Sequence, residues 1–161
     1  MKPIFALVAF VLSCGAAAAE DSSSSVALAG LDGQKSILTL SELGALPRVQ
    51  VSAKEHGAPH VFEGALLRDV LAKVGAPAGK AIHGKELVDV VIVEAHDGYK
   101  VALDLAGTDP MMRADRVILA DRMDGTPLDS DKGPFQFIVE GHLRPARAVR
   151  MVSAIRLERL R

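Results

Sequence analysis

The chain has 161 residues, with 19 Lys and Arg against 20 Asp and Glu, 49% hydrophobic residues, one cysteine and no tryptophan. That length suits one domain with its own core and is too short for two of ordinary size. Near-neutral charge, five Phe and one Tyr argue against a nucleic-acid partner, which needs a basic footprint or aromatic stacking platforms.

Residues 1–19 carry the marks of an export signal: Lys2, the apolar run Ile4–Leu12 and the small residues Ala17, Ala18 and Ala19. The run is too short to cross a bilayer core, which takes roughly 20 residues. A periplasmic or secreted location follows, with no transmembrane segment expected in the mature chain. Cys14, the only cysteine, lies inside this segment. Cleavage after Ala19 removes it; a lipoprotein reading of Val11-Leu12-Ser13-Cys14 would keep it as an acylated anchor. In both cases the folded part, expected over residues 26–161, has no disulfide and no thiolate ligand.

Residues 20–25 read as a flexible Ser-rich spacer. Val26–Leu31 and Ser36–Leu40 read as a hairpin around Asp32-Gly33, and Ser41 as the N-cap of a helical turn at Glu42–Leu46 that Pro47 stops. Val49–Ser52 predicts a strand, followed by a polar stretch, Ala53–His60, of unassigned structure. In Ala65–Val74, Leu66, Leu67, Val70, Leu71 and Val74 share one helical face, and Gly75 ends the helix. The valine-rich Leu87–Ala95 predicts a strand buried on both faces. Asp97-Gly98 is a hairpin signal with Tyr99–Leu103 returning. Val117–Ala120, Phe135–Val139 and Val152–Leu157 complete the strands, with a turn at Met123-Asp124-Gly125-Thr126. Strands dominate and helices are short, so the expected class is α+β with a mostly antiparallel, mixed sheet or sandwich.

In chain order, Phe62-Glu63-Gly64-Ala65-Leu66-Leu67-Arg68-Asp69-Val70-Leu71, then Asp97-Gly98-Tyr99, then Pro145-Ala146-Arg147-Ala148-Val149-Arg150 resemble the motifs of the molybdopterin-binding domain of the sulfite oxidase superfamily. The resemblance runs from about Val26 to Leu157. It implies the sulfite oxidase fold, a molybdopterin cofactor and, in catalytic members, a molybdenum ligated by one protein cysteine between the early helical turn and the aromatic-Gly motif. The corresponding stretch, Val49–His60, has no cysteine, and a hydroxyl or carboxylate does not replace a soft thiolate. Gln136 and Glu140 also stand where the family carries arginine and proline, and a glutamate there would oppose a cofactor phosphate. Arg147 and Arg150 fall where the resemblance implies positive charge near the pterin, Arg147 with a bidentate fork for phosphate. By the same resemblance Tyr99 lies near the cofactor pocket.

From the residues alone, Arg144, Arg147 and Arg150, spaced by three, form either an anion site on one side of a turn or a solvated, salt-bridged edge. Glu55, His56, His60 and Glu63 are the only cluster with metal-ligand character, but Gly57 and Pro59 count against the helix that would align the two histidines, and exposed loop residues are the plainer reading. His83, His96 and His142 are isolated. Gly98 supplies a hairpin's positive φ and Tyr99 an apolar ring with a polar tip. Phosphate loops, dinucleotide fingerprints and serine-hydrolase elbows are absent from the sequence. The expected function is an exported binding or accessory module, non-catalytic at molybdenum, whose partner is a small anionic ligand or an envelope protein. The alternative is a redox protein holding molybdopterin through Arg147 and Arg150 without a cysteine ligand.

Overall fold

The structure, a computed structural model, describes residues 24–161; the expected signal segment and all but the end of the expected spacer lie outside the described residues. Ser25, assigned to the spacer, opens the first strand. Strands β1 (Ser25–Ala29) and β2 (Lys35–Thr39) form the expected hairpin. Helix α1 (Leu40–Gly44) is capped by Thr39 rather than Ser41: Thr39 Oγ1 accepts from the Glu42 amide at 3.2 Å and the Glu42 carboxylate accepts from the Thr39 amide at 2.9 Å. The reciprocal box needs an acid or amide three residues on. Thr39 finds Glu42 there, whereas Ser41 finds Gly44.

The stretch that sequence periodicity leaves unassigned is a long hairpin, β3 (Arg48–Glu55) and β4 (Ala58–Leu66). His56 and Gly57 make its turn with φ of 50° and 87°, the positive values a tight hairpin favours. Helix α2 (Leu67–Leu71) therefore starts later than its apolar period implies, because Gly64–Leu66 pair with Ala120–Ile118 of β7 (Val117–Met123) and the ladder claims their backbone. A 3₁₀ turn at Ala72–Val74 continues it and Gly75, at φ 70°, closes it.

Strand β5 (Asp89–Ala95) differs from its expected two-sided burial. Val91, Val93 and Ala95 are buried on one face, while Val90, Ile92 and Glu94 are half-buried on the other. On that outer face Glu94 is bridged by Lys100 at 3.2 Å and Arg156 at 3.1 Å. The hairpin partner is β6 (Lys100–Asp104). Strands β8 (Thr126–Pro127), β9 (Gln136–Val139) and β10 (Val152–Arg159) follow.

One sheet runs β2-β1-β10-β5-β6, its β1 and β10 parallel and its other pairs antiparallel; the second runs β3-β4-β7-β8, with β9 also against β7. This is the expected α+β class. The main core joins both sheets and the helices through residues such as Leu38, Leu71, Val93, Leu119, Phe137 and Ile155. A smaller cluster, Val51, Phe62, Ile118, Ala120 and Ile138, lies on the opposite side of the second sheet, because alternate strand residues face opposite ways. The chain after β9 folds back over this side. Phe137 and Val149 exchange two backbone bonds of 2.8 and 3.1 Å, and the Val152 amide donates to Phe135 O at 3.0 Å.

Gly64 marks the tightest approach in the second sheet: a Cβ there would lie 2.0 Å from Leu119 O and 2.6 Å from Ala120 Cα. Neither neighbour can move without breaking the β4–β7 ladder, so Gly64→Ala should destabilise the fold by about 3 kcal/mol, at the upper end for overpacking. Urea melts read by circular dichroism check this; an unchanged midpoint contradicts it.

Candidate functional site

The fold-back leaves a cleft of about 590 Å³ over the second sheet. Its walls are apolar, from Ala53 on β3, Phe62 on β4, Ile138 on β9 and Ala146 and Ala148 on the returning segment; Lys54, Glu55, Gln136, His142, Arg144 and Arg150 supply the polar atoms. Period-two alternation puts Val51, Ala53 and Glu55 on the same face of β3, which delivers a carboxylate to a position that is otherwise hydrophobic.

Glu55 is 5% exposed. Arg150 Nη2 donates to its Oε1 at 2.6 Å, and Lys132 Nζ lies 3.4 Å from its Oε2. Burial pushes the Glu55 carboxyl up, but Arg150 and Lys132 outweigh it and hold the group below the ordinary glutamate value. Gln136 also lines the cleft; it is 1% exposed, and its Oε1, like Oε2 of Glu55, is buried without a hydrogen-bond partner. Buried polar atoms are nearly always satisfied, so these two unpartnered acceptors in the cleft wall mark a place where a donor belongs.

The arginine triplet does not converge. Arg150 lines the cleft and is engaged by Glu55; Arg144 lines it from an exposed position; Arg147, in the 3₁₀ turn Pro145–Arg147, is exposed and is not among the lining residues. Tyr99 also lies outside the lining. Its hydroxyl donates to Ala146 O at 2.6 Å, so it props the returning segment from behind. Glu140 turns away from the cleft: its carboxylate accepts from Arg116 Nε at 2.9 Å, Nη2 at 2.8 Å and the Arg116 amide at 3.0 Å. That pairing, chiefly its side-chain hydrogen bonds, holds Glu140 below the ordinary value. The opposition between Glu140 and an anion, expected from the sequence, is thereby cancelled locally.

The cluster with metal-ligand character is split. Glu55 and His56 both face Arg150, whose Nη2 lies 2.6 Å from Glu55 Oε1 and 3.5 Å from His56 Nε2, while His60 Nδ1 contacts Asp124 Oδ2 at 2.7 Å and Glu63 accepts from Arg48 Nη2 at 3.0 Å. Among the described residues no three His, Cys, Asp or Glu side chains are grouped to hold a metal. His142, isolated in sequence, reaches the cleft; burial first, then the charges of Arg113 and Arg147, lower its pKa from the ordinary histidine value. Sequence reasoning missed Lys132 and the inward face of Glu55. Extending the Val49–Ser52 alternation by two positions would have found the second.

The sequence pattern of the oxidoreductase molybdopterin binding domain matches residues 55–160. The chain belongs to that family. Among solved structures, the sulfane dehydrogenase SoxCD from Paracoccus pantotrophus is similar, with a TM-score of 0.59 and 17% identity over 86% of this chain and 39% of that one. At this identity the likeness shows the sulfite oxidase fold, and the chain spans less than half of the SoxCD chain. No curated protein matches.

The Glu55–Arg150 pair gives the site a pH signature. Because the folded pKa of Glu55 lies below the unfolded value of 4.5, its stabilisation is fully present above 4.5 and is lost as pH falls through the folded value. Arg150→Ala strands a buried carboxylate that keeps only Lys132, and solvent at the half-open Arg150 moderates the loss to about 2 kcal/mol at neutral pH. The stability gap between Arg150→Ala and wild type should shrink as pH falls below 4.5 and on through the lower folded value. Urea melts across the acid range test this, and a gap that widens on acidification contradicts it.

Proposed function

We propose that this protein is an exported domain of the sulfite oxidase fold that acts as a binding or accessory module and is not catalytic at molybdenum. The observation that carries this is the buried Glu55 carboxylate in the cleft, closed onto Arg150. The family's cofactor brings an anionic phosphate and a metal held by an anionic dithiolene, and calls for a soft thiolate from the protein. The described residues do not fit that group. They contain no thiol, since the chain's one cysteine is Cys14; β3 presents Ala53, Lys54 and Glu55 to the cleft; and the Arg150 cation is already engaged. Breaking a buried ion pair to admit another anion carries a desolvation cost that the gained contact must exceed.

Export is supported by the N-terminal pattern Ile4–Leu12 followed by Ala17–Ala19, and the proposed ligand or partner is accordingly one of the cell envelope or the outside. Retention of molybdopterin through Arg147 and Arg150 is the competing reading. It is weakened by the outward position of Arg147 and the engagement of Arg150. Elemental analysis of protein purified from a host that makes molybdopterin separates the two: we expect well under a tenth of a molar equivalent of molybdenum, and a stoichiometric amount overturns the proposal.

A further inference from the structure

The cleft holds two features that together define the ligand it admits. The first is a cation pair already provided with an anion: Arg150 Nη2 at 2.6 Å and Lys132 Nζ at 3.4 Å from the two carboxylate oxygens of Glu55. Lys132 is 14% exposed and Glu55 6% by side chain, while Arg150 keeps 37% of its side chain open, so solvent screens the Glu55–Lys132 contact weakly and the Arg150 contact more. A free oxyanion seeking these cations must displace a tethered carboxylate that has no translational entropy to lose on binding. The second is the unpartnered Gln136 Oε1, buried in a wall shared with the apolar Phe62 and Ile138, with Glu55 Oε2 likewise short of a hydrogen bond. These oxygens are acceptors and offer an anion nothing; the only donors on Gln136 are at the other end of its amide.

We propose that Glu55 is a built-in counter-anion that excludes oxyanions from the inner end of the cleft, so that the ligand entering it is uncharged at that end, flat and apolar, and donates an N–H or O–H hydrogen bond to Gln136 Oε1. This rests on the cleft being a binding site without molybdenum, and it replaces the small anion that the arginine spacing suggests with a neutral amide-like or phenol-like group. Glu55 is then the specificity-determining residue and Gln136 the anchoring one. Exposed Arg144 lies toward the mouth, where it leaves room for a charge at the ligand's outer end.

The test is a pair of titrations followed by amide NMR on the folded protein, one with sulfate against chloride at matched ionic strength, the other with benzamide as a neutral ring bearing N–H donors. Glu55→Gln should bind sulfate at least tenfold more tightly than wild type, and adding Arg150→Gln should remove the gain. Benzamide should shift cleft resonances in wild type, with at least a fivefold weaker affinity in Gln136→Leu. Sulfate binding as tightly to wild type as to Glu55→Gln overturns the proposal, as does benzamide binding that ignores Gln136. Should Glu55→Gln fail to fold, wild type and Arg150→Gln decide it: a sulfate-specific rise in wild-type Tm that Arg150→Gln abolishes refutes the exclusion, and no such rise supports it. A high molybdenum content in protein from a molybdopterin-making host would refute the underlying reading, whereas these titrations, run on protein made without the cofactor, test the exclusion by Glu55 alone, so the two failures are distinguishable.

Discussion

The two backbone hydrogen bonds between Phe137 and Val149 turn the chain back over the second sheet, and the cleft exists because of that return. Without it, Phe62, Ile118 and Ile138 would face water on a side of the sheet where their burial supplies much of the local stability. The same return brings Arg150 over the end of β3, where strand alternation has already placed Glu55. A carboxylate at that depth requires a cation, and the fold supplies two. The site's electrostatics thus follow from how the sheet's outer face is covered.

This arrangement separates descent from chemistry. The family match over residues 55–160 and the likeness to SoxCD establish the scaffold, and a scaffold hosts many functions. What the cleft can do depends on the groups inside it: the Glu55–Arg150 ion pair, a buried unpartnered amide acceptor, His142 and apolar walls. These groups suit recognition of a donor-bearing apolar ligand. They do not assemble a nucleophile with a base or a set of metal ligands.

Much of the fold was legible in the sequence because most strands are runs of apolar and β-branched residues and several of their turns carry glycine. The β5–β6 and β1–β2 hairpins and the final strand stand where periodicity and turn residues put them. The β3–β4 hairpin was less legible: its turn, His56-Gly57, pairs a non-glycine at positive φ with a short polar context, and alternation through Lys54, Glu55 and His60 does not separate buried from exposed by residue type. The same ambiguity hid the site. Glu55 reads as a surface acid until Arg150, ninety-five positions away, is known to lie above it. The arginine spacing did signal a charged corner, but spacing alone could not show that Arg144 and Arg150 line the cleft while Arg147 stays outside it.

The claim on which the account turns is that Glu55 is ionised and paired in the cleft rather than a solvent-facing or protonated acid. Carbon-13 NMR titration of the Glu55 carboxyl in the intact protein addresses it directly. The pairing predicts a midpoint below the ordinary 4.5 for glutamate that moves upward in Arg150→Gln. A midpoint at or above 4.5, unmoved by that substitution, would contradict it.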